Sequence, residues 1–250
     1  MNDYDPNKQQ RYNRPETWPP PAGRVVDRLG YAPATAAQVS AAERMSFVRK
    51  VYALFFAATL FAVGGAGLGL SFTPLLRFAF EHPFVMVVLM LGGVMGAQAV
   101  RHVRGLNLLA LFVFTTLTGV MISPLLYVLS QVNPGSILQA GVLTVGIFGS
   151  LTAYVFISKK DFSFMRGMLM VGLVVVVLAG LLSFFVASNA LGFAVSAAAL
   201  ILFSGFVLYD TSNIIRRYPV NEYVAGALSL YLDAFNIFLS LLNILNSGRR

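Results

Sequence analysis

The chain has 250 residues, 57% hydrophobic and 11% charged, with a net charge of +8. Soluble domains carry about 25% charged residues and need polar cover, so the composition excludes a soluble globular fold and implies an all-α, polytopic membrane protein. With no cysteine, disulfides, thiolate-bound zinc, iron–sulfur clusters and a thiol nucleophile are excluded as well.

In chain order, Met1 to Arg44 is polar and bears Pro15, Pro19, Pro20 and Pro21. It lacks the apolar core of a signal peptide, and its composition predicts a disordered, basic cytosolic tail over 1–44. A membrane domain is expected over 45–250. Seven apolar runs are each long enough to cross a bilayer: Val51–Leu70, Phe84–Val100, Leu106–Leu129, Ile137–Ile157, Met168–Ala187, Leu191–Ile215 and Tyr223–Leu245. Short loops predict a compact antiparallel bundle. Gly65 and Gly69 in the first run, and Gly92 and Gly96 in the second, have the one-turn spacing through which helices approach closely in lipid. Pro124 lies inside the third run and leaves a backbone carbonyl without its usual donor.

The basic residues lie on alternate sides of these runs. The tail, Arg101, Arg104, Lys159, Lys160, Arg166, Arg216 and Arg217 fall on one side, against Arg77, Arg249 and Arg250 on the other. Such asymmetry encodes orientation and puts the N-terminus in the cytosol, rather than marking a nucleic-acid surface. The Arg249-Arg250 pair would also fit a last segment that re-enters instead of crossing.

The only acids inside the seven runs are Asp210 and Asp233. Asp210 sits about 7 Å inside the cytosolic end of the sixth run and Asp233 about 15 Å into the seventh. An acid there costs a few kcal/mol, and such residues mark functional sites by default. Ser229, Asp233, Asn236, Ser240 and Asn243 recur at alternating steps of four and three, which places them on one helical face. Asn213 follows Asp210 by one turn. A polar stripe of this kind faces the bundle interior or a wet path. The short loop between the last two runs makes them neighbours. Two carboxyls in one poorly solvated site share a proton and titrate as a unit. Losing that proton favours separation, hydration or a cation, which is a route to pH-controlled opening. The competing role is polar glue between helices. Arg101 or Arg104, at the cytosolic end of the second run, could pair with Asp210 or serve only as orientation charge. His82 and His102 are isolated and suggest no metal site.

These residues resemble a known family. Tyr209-Asp210-Thr211, then Ala227-Leu228-Ser229-Leu230-Tyr231-Leu232-Asp233 and Asn236, are similar to the signature of the Bax inhibitor family, the transmembrane Bax-inhibitor-motif proteins. Lys159-Lys160-Asp161-Phe162-Ser163 resembles a second marker. The likeness runs from Arg44 to the end and is to bacterial-type members. It implies a seven-helix bundle with the last helix central, inside a ring of six. It further implies a pH-sensitive calcium leak channel whose sensor is Asp210 with Asp233, and a latch to the first aspartate from Arg101, with Arg104 as competitor. Calcium would be held transiently, if at all, by Asp210 and Asp233. Eukaryotic members are regarded as suppressors of cell death, and bacterial ones are linked to control of a membrane protease.

Three functions therefore compete. The first is a cation leak gated by protonation of the aspartate pair, with calcium as the transported ion, no cofactor and no catalytic residue. The second is a non-conducting regulator of partner membrane proteins. The third is an intramembrane aspartyl protease, which two aspartates on adjacent helices invite. That third reading expects a Gly-x-Gly-Asp motif where the chain has Leu230-Tyr231-Leu232-Asp233. The expected location is a bacterial inner membrane, with an internal eukaryotic membrane as alternative.

Overall fold

Within a bilayer every backbone N–H and C=O needs a partner from its own segment, so long apolar runs fold as helices. The computed structural model describes Thr35 and residues 39–103, 105–186 and 188–247. The order is α1 (Ala41–Ser71), α2 (Thr73–Glu81), α3 (Pro83–Ala99), α4 (Leu106–Val132), α5 (Pro134–Ser158), α6 (Arg166–Phe185), α7 (Asn189–Arg216) and α8 (Tyr223–Ser247). A 3-10 turn, Ser163–Met165, precedes α6. The tail before Thr35, Arg104, and the closing Arg249 and Arg250 lie outside the described residues.

The first helix starts at Ala41, about ten residues before the apolar run at Val51. Ser40 caps it, accepting from the Glu43 N–H at 3.3 Å, while the Glu43 carboxylate accepts from the Ser40 N–H at 3.2 Å. That reciprocal box satisfies two end donors and lets a polar first turn stay helical. Part of the stretch ascribed to the tail, 41–44, is therefore helix.

Six helices are each long and apolar enough to cross a membrane: α1, α4, α5, α6 with its leading turn, α7 and α8. The second expected span is α3, preceded by the unexpected α2 and bent from it by 95°. Counting α2 and α3 as one broken span gives seven. Proline opens both α2 and α3 near their first positions, where its missing N–H costs nothing. The 25-residue α8 is unbroken, about 37 Å long at the helical rise, which is a crossing length.

The last helix is central. It packs against α1, α4, α5 and α7. Half of its most apolar stretch is buried inside the protein, against 6% for α6, whose outward side chains suit lipid. The tightest contact is α1 on α4. A β-carbon on Gly65 would collide with the Thr116 carbonyl, and one on Gly119 with that of Ala62, so the two backbones touch as small-residue packing requires. Gly69 packs against Ser123 in the same seam. Gly92 and Gly96 do not behave as their spacing suggests. A β-carbon on either would meet nothing within 4 Å, whereas one on Gly93 would fall 2.8 Å from the Phe114 ring. Helix spacing identifies a shared face but not which side of α3 turns inward.

Pro124 sits inside α4 without ending it. The carbonyl it deprives of a donor, that of Val120, accepts instead from the Ser123 hydroxyl at 2.7 Å. A neighbouring side chain thus supplies the bond the proline cannot.

Candidate functional site

α7 and α8 leave the 217–222 loop as packed neighbours. Asp210 lies in the last two turns of α7 and Asp233 ten residues into α8. The two carboxyls face each other at hydrogen-bonding range. Asp233 is 3% exposed, and its Oδ2 is buried with no donor to meet it. Asn213, one turn along α7 and also buried, hydrogen-bonds the Asp210 carboxyl. Among the described residues no ion pair reaches either carboxyl. Two ionised carboxylates are both acceptors, so the contact is satisfied only when one proton lies between them.

The stripe on α8 is arranged around this contact. On the loop side Ser229 shares a hydrogen bond of 3.1 Å with the Tyr218 hydroxyl. On the other side Asn236 donates to the Leu232 carbonyl and Ser240 to that of Asn236, both at 2.7 Å. Ser240 is buried, Asn236 half-buried, and Asn243 opens into a cavity at the far end of the bundle. Two residues before Asp233, the buried Tyr231 hydroxyl bonds that of Thr118 on α4. This ties α8 to α4 beside the pair.

Tyr218 is a neighbour the sequence reading leaves out. Its phenol is pushed well above the ordinary value, first by burial and then by the nearby Asp210 charge, with Glu222 and Asp233 contributing less. It therefore stays neutral, paired with the Ser229 hydroxyl. Its only sequence sign is an aromatic hydroxyl just past the Arg216-Arg217 pair, and nothing in that spacing predicts that it folds back.

Arg101 is exposed, and its Nε–H donates to His102 Nε2 at 2.9 Å. His102 Nδ1 in turn lies 3.6 Å from the Glu222 carboxylate. Arg101 thus joins the α3–α4 turn to the 217–222 loop through His102, and Asp210 takes Asn213 and Asp233 as its partners. Arg104, the other candidate, lies outside the described residues.

The Lys159–Ser163 marker folds as a clasp on the end of α7. The Asp161 carboxylate accepts from the Ser163 N–H at 2.9 Å and from Arg217 at 2.8 Å. Arg217 also bonds Ser163, Arg216 bonds the Lys159 carbonyl, and the Phe162 N–H donates to the buried Ser212 hydroxyl at 3.1 Å. The backbone donor, then Arg217, holds the Asp161 carboxyl down at about 2. Ser212 is two residues from Asp210, so the clasp fixes the turn of α7 that presents the first aspartate.

Among the described residues no three His, Asp or Glu side chains converge as a metal site would require.

Comparison with known proteins gives the site a context. A family model described as Inhibitor of apoptosis-promoting Bax1 matches residues 44–250. The chain is 35% identical to mouse protein lifeguard 4 over 230 residues, covering 91% of this chain and 95% of that protein. It is 38% identical to an uncharacterized protein of Campylobacter jejuni over 204 residues, 80% and 88% of the two chains. To the Golgi anti-apoptotic protein of vaccinia virus it is 33% identical over 229 residues, 90% and 95%.

Proposed function

Because the chain belongs to the Bax1 (Bax inhibitor) family, an integral membrane family, we propose that it is a pH-sensitive cation leak, with calcium as the transported ion, gated by Asp210 and Asp233. The observation that carries this is the acceptor-to-acceptor contact of the two carboxyls, with Asp233 Oδ2 buried and without a donor. With one proton between them the pair binds α7 to α8. Without it, two negative charges in contact in a poorly solvated interior repel and draw in water or a cation. The α8 stripe of Asn236, Ser240 and Asn243 then offers polar footing away from the pair. Arg101 serves as the latch by exchanging its His102 contact for Asp210.

The membrane is a bacterial inner membrane, with the N-terminus in the cytosol on the side of the basic loops. The chain works as a channel and not an enzyme, and it takes no cofactor.

Purified protein in liposomes, assayed for calcium entry across a range of external pH, tests this. Wild-type flux changes with pH, and Asp210→Asn and Asp233→Asn abolish that change. Unaltered pH dependence in both variants sinks the sensor assignment. The same variants assayed for cleavage of a transmembrane substrate separate a channel from an aspartyl protease.

A second reading rests on the viral relative, whose name is anti-apoptotic. In it the chain regulates partner membrane proteins without conducting. A cellular stress phenotype that survives in a variant without flux favours that reading.

A further inference from the structure

Three helices converge at the end of the bundle that carries the clasp. On α5, Phe148, Thr152 and Phe156 recur every four residues and share a face. Aromatic rings of α1 pack on that face. Phe55 stacks on Phe148 with ring centres 4.9 Å apart, and Tyr52 lies against Phe156 at 6.1 Å. Thr152 is thereby set between them, facing α1. On α7, Val207, Thr211 and Ile214 share a second face and are fully buried. Ile214 and Val51 lie 3.3 and 3.4 Å from a β-carbon placed on Gly226. α1 and α7 therefore close on the same point of α8, which brings Thr211 beside Tyr52. The Tyr52 hydroxyl has those of Thr152 and Thr211 as its neighbours.

All three oxygens are buried, and none makes a hydrogen bond of normal geometry. Hydroxyls on the other helices of this chain behave differently. Thr59, Thr144, Ser183 and Ser204 each donate to the carbonyl four residues back, which satisfies a hydroxyl within an apolar helix. Thr152 and Thr211 do not bond the Phe148 and Val207 carbonyls. They turn to Tyr52 instead.

The three hydroxyls cannot satisfy one another through Tyr52. Each has one proton to give. A row of threonine, tyrosine and threonine has two links and commits two protons. The third needs an acceptor that the row does not contain, and a buried donor without a partner is costly. Water fits the need, because it accepts and donates and is small. Buried waters make about three hydrogen bonds to groups that are otherwise unpaired. The set has no carboxylate to hold a divalent metal ion.

We propose that the hydroxyls of Tyr52, Thr152 and Thr211 hold one buried water molecule, a hydrogen-bonded joint between α1, α5 and α7. Asp210 precedes Thr211, and Ser212, which follows it, is held by the Phe162 N–H. The water thus fixes from inside the same turn of α7 that the clasp fixes from the loop. The site is independent of what the protein conducts.

Hydroxyl-radical footprinting of the full-length protein in detergent tests this, because irradiation makes radicals from a bound water where it sits and oxidises the side chain beside it. The internal comparison is Tyr231, a buried tyrosine whose hydroxyl bonds Thr118 directly. Tyr52 should be oxidised several-fold faster than Tyr231. Thr152→Val combined with Thr211→Val keeps both shapes and removes both hydroxyls, and the Tyr52 rate should then fall several-fold. Thr152→Ser combined with Thr211→Ser keeps the hydroxyls and should keep the rate. Equal rates at Tyr52 and Tyr231 in wild type overturn the proposal and leave three hydroxyls in direct contact. An unchanged Tyr52 rate in the valine pair also overturns it, since the radicals then reach the half-buried ring from outside. Thr211→Val alone, with the same expected fall, carries the test if the double variant does not fold.

Discussion

Asp233 and Asp210 meet across the α7–α8 interface as two carboxyls, and the buried Oδ2 of Asp233 has no donor. An amide at position 233 has nearly the same shape and brings its own N–H. Asp233→Asn is therefore expected to replace a contact that depends on a proton with one that does not. A buried acceptor left without a partner costs about 1–3 kcal/mol. At alkaline pH the variant should unfold at a higher temperature than wild type, and the advantage should shrink as the pH falls and the wild-type pair gains its proton. Thermal unfolding in detergent at several pH values measures this. A variant less stable than wild type at every pH contradicts the shared-proton contact.

The α1–α4 seam makes a second, sharper comparison. A β-carbon on Gly119 runs into the backbone of Ala62 and Ala66, whereas one on Gly92 meets nothing within 4 Å. Backbone cannot step aside as a side chain can. Gly119→Ala should cost about 1–3 kcal/mol by overpacking. Gly92→Ala should be neutral or gain up to about 1 kcal/mol of helix propensity. Unfolding midpoints of the two variants in the same detergent decide it.

The Asp161 clasp should respond to pH with a definite sign. Its carboxyl is held down at about 2, below the ordinary value of about 3.9. The folded state thus favours the charged form. The stabilisation is complete above about pH 4 and is lost as pH falls through about 2. Both partners are about half exposed, so the worth of the pair is that of a surface ion pair, about 0.2–1 kcal/mol. Asp161→Asn should lower stability slightly at neutral pH and match wild type near pH 2. Proteolysis of the 159–163 loop, faster in the variant at neutral pH only, reports the same change.

How far the sequence reaches can be judged residue by residue. The Asp233 stripe is legible because a polar face on an apolar helix must recur at helical spacing, and the rule does not depend on the neighbours. The contact with Asp210 is nearly legible, since a short loop forces α7 beside α8. The spans are legible from apolar run length, but α2 is not. Its nine residues fall below any spanning length, and the bend to α3 depends on how the chain turns after Phe72. Gly93 rather than Gly92 or Gly96 meets Phe114, and a helix whose faces are equally apolar carries no sign of which side turns inward. The contacts of Arg101 and Tyr218 are set by loop paths, where periodicity has nothing to say. The box formed by Ser40 and Glu43 has a readable spacing, and hydropathy alone passes over it because the first turn of α1 is polar.

The remaining prediction concerns a carbonyl. Pro124 removes the N–H that would bond the Val120 carbonyl, and Ser123 supplies a hydroxyl in its place at 2.7 Å. Ser123 is fully buried, so water cannot take over the bond. Ser123→Ala should then leave the carbonyl bare and cost about 1–3 kcal/mol. In a Pro124→Ala background the backbone donor returns, and the same serine substitution should cost much less. The two changes are therefore non-additive, and a double-mutant cycle on thermal unfolding measures the coupling. Additive costs would mean that the hydroxyl acts through its packing against Gly69 and not through the carbonyl it bonds.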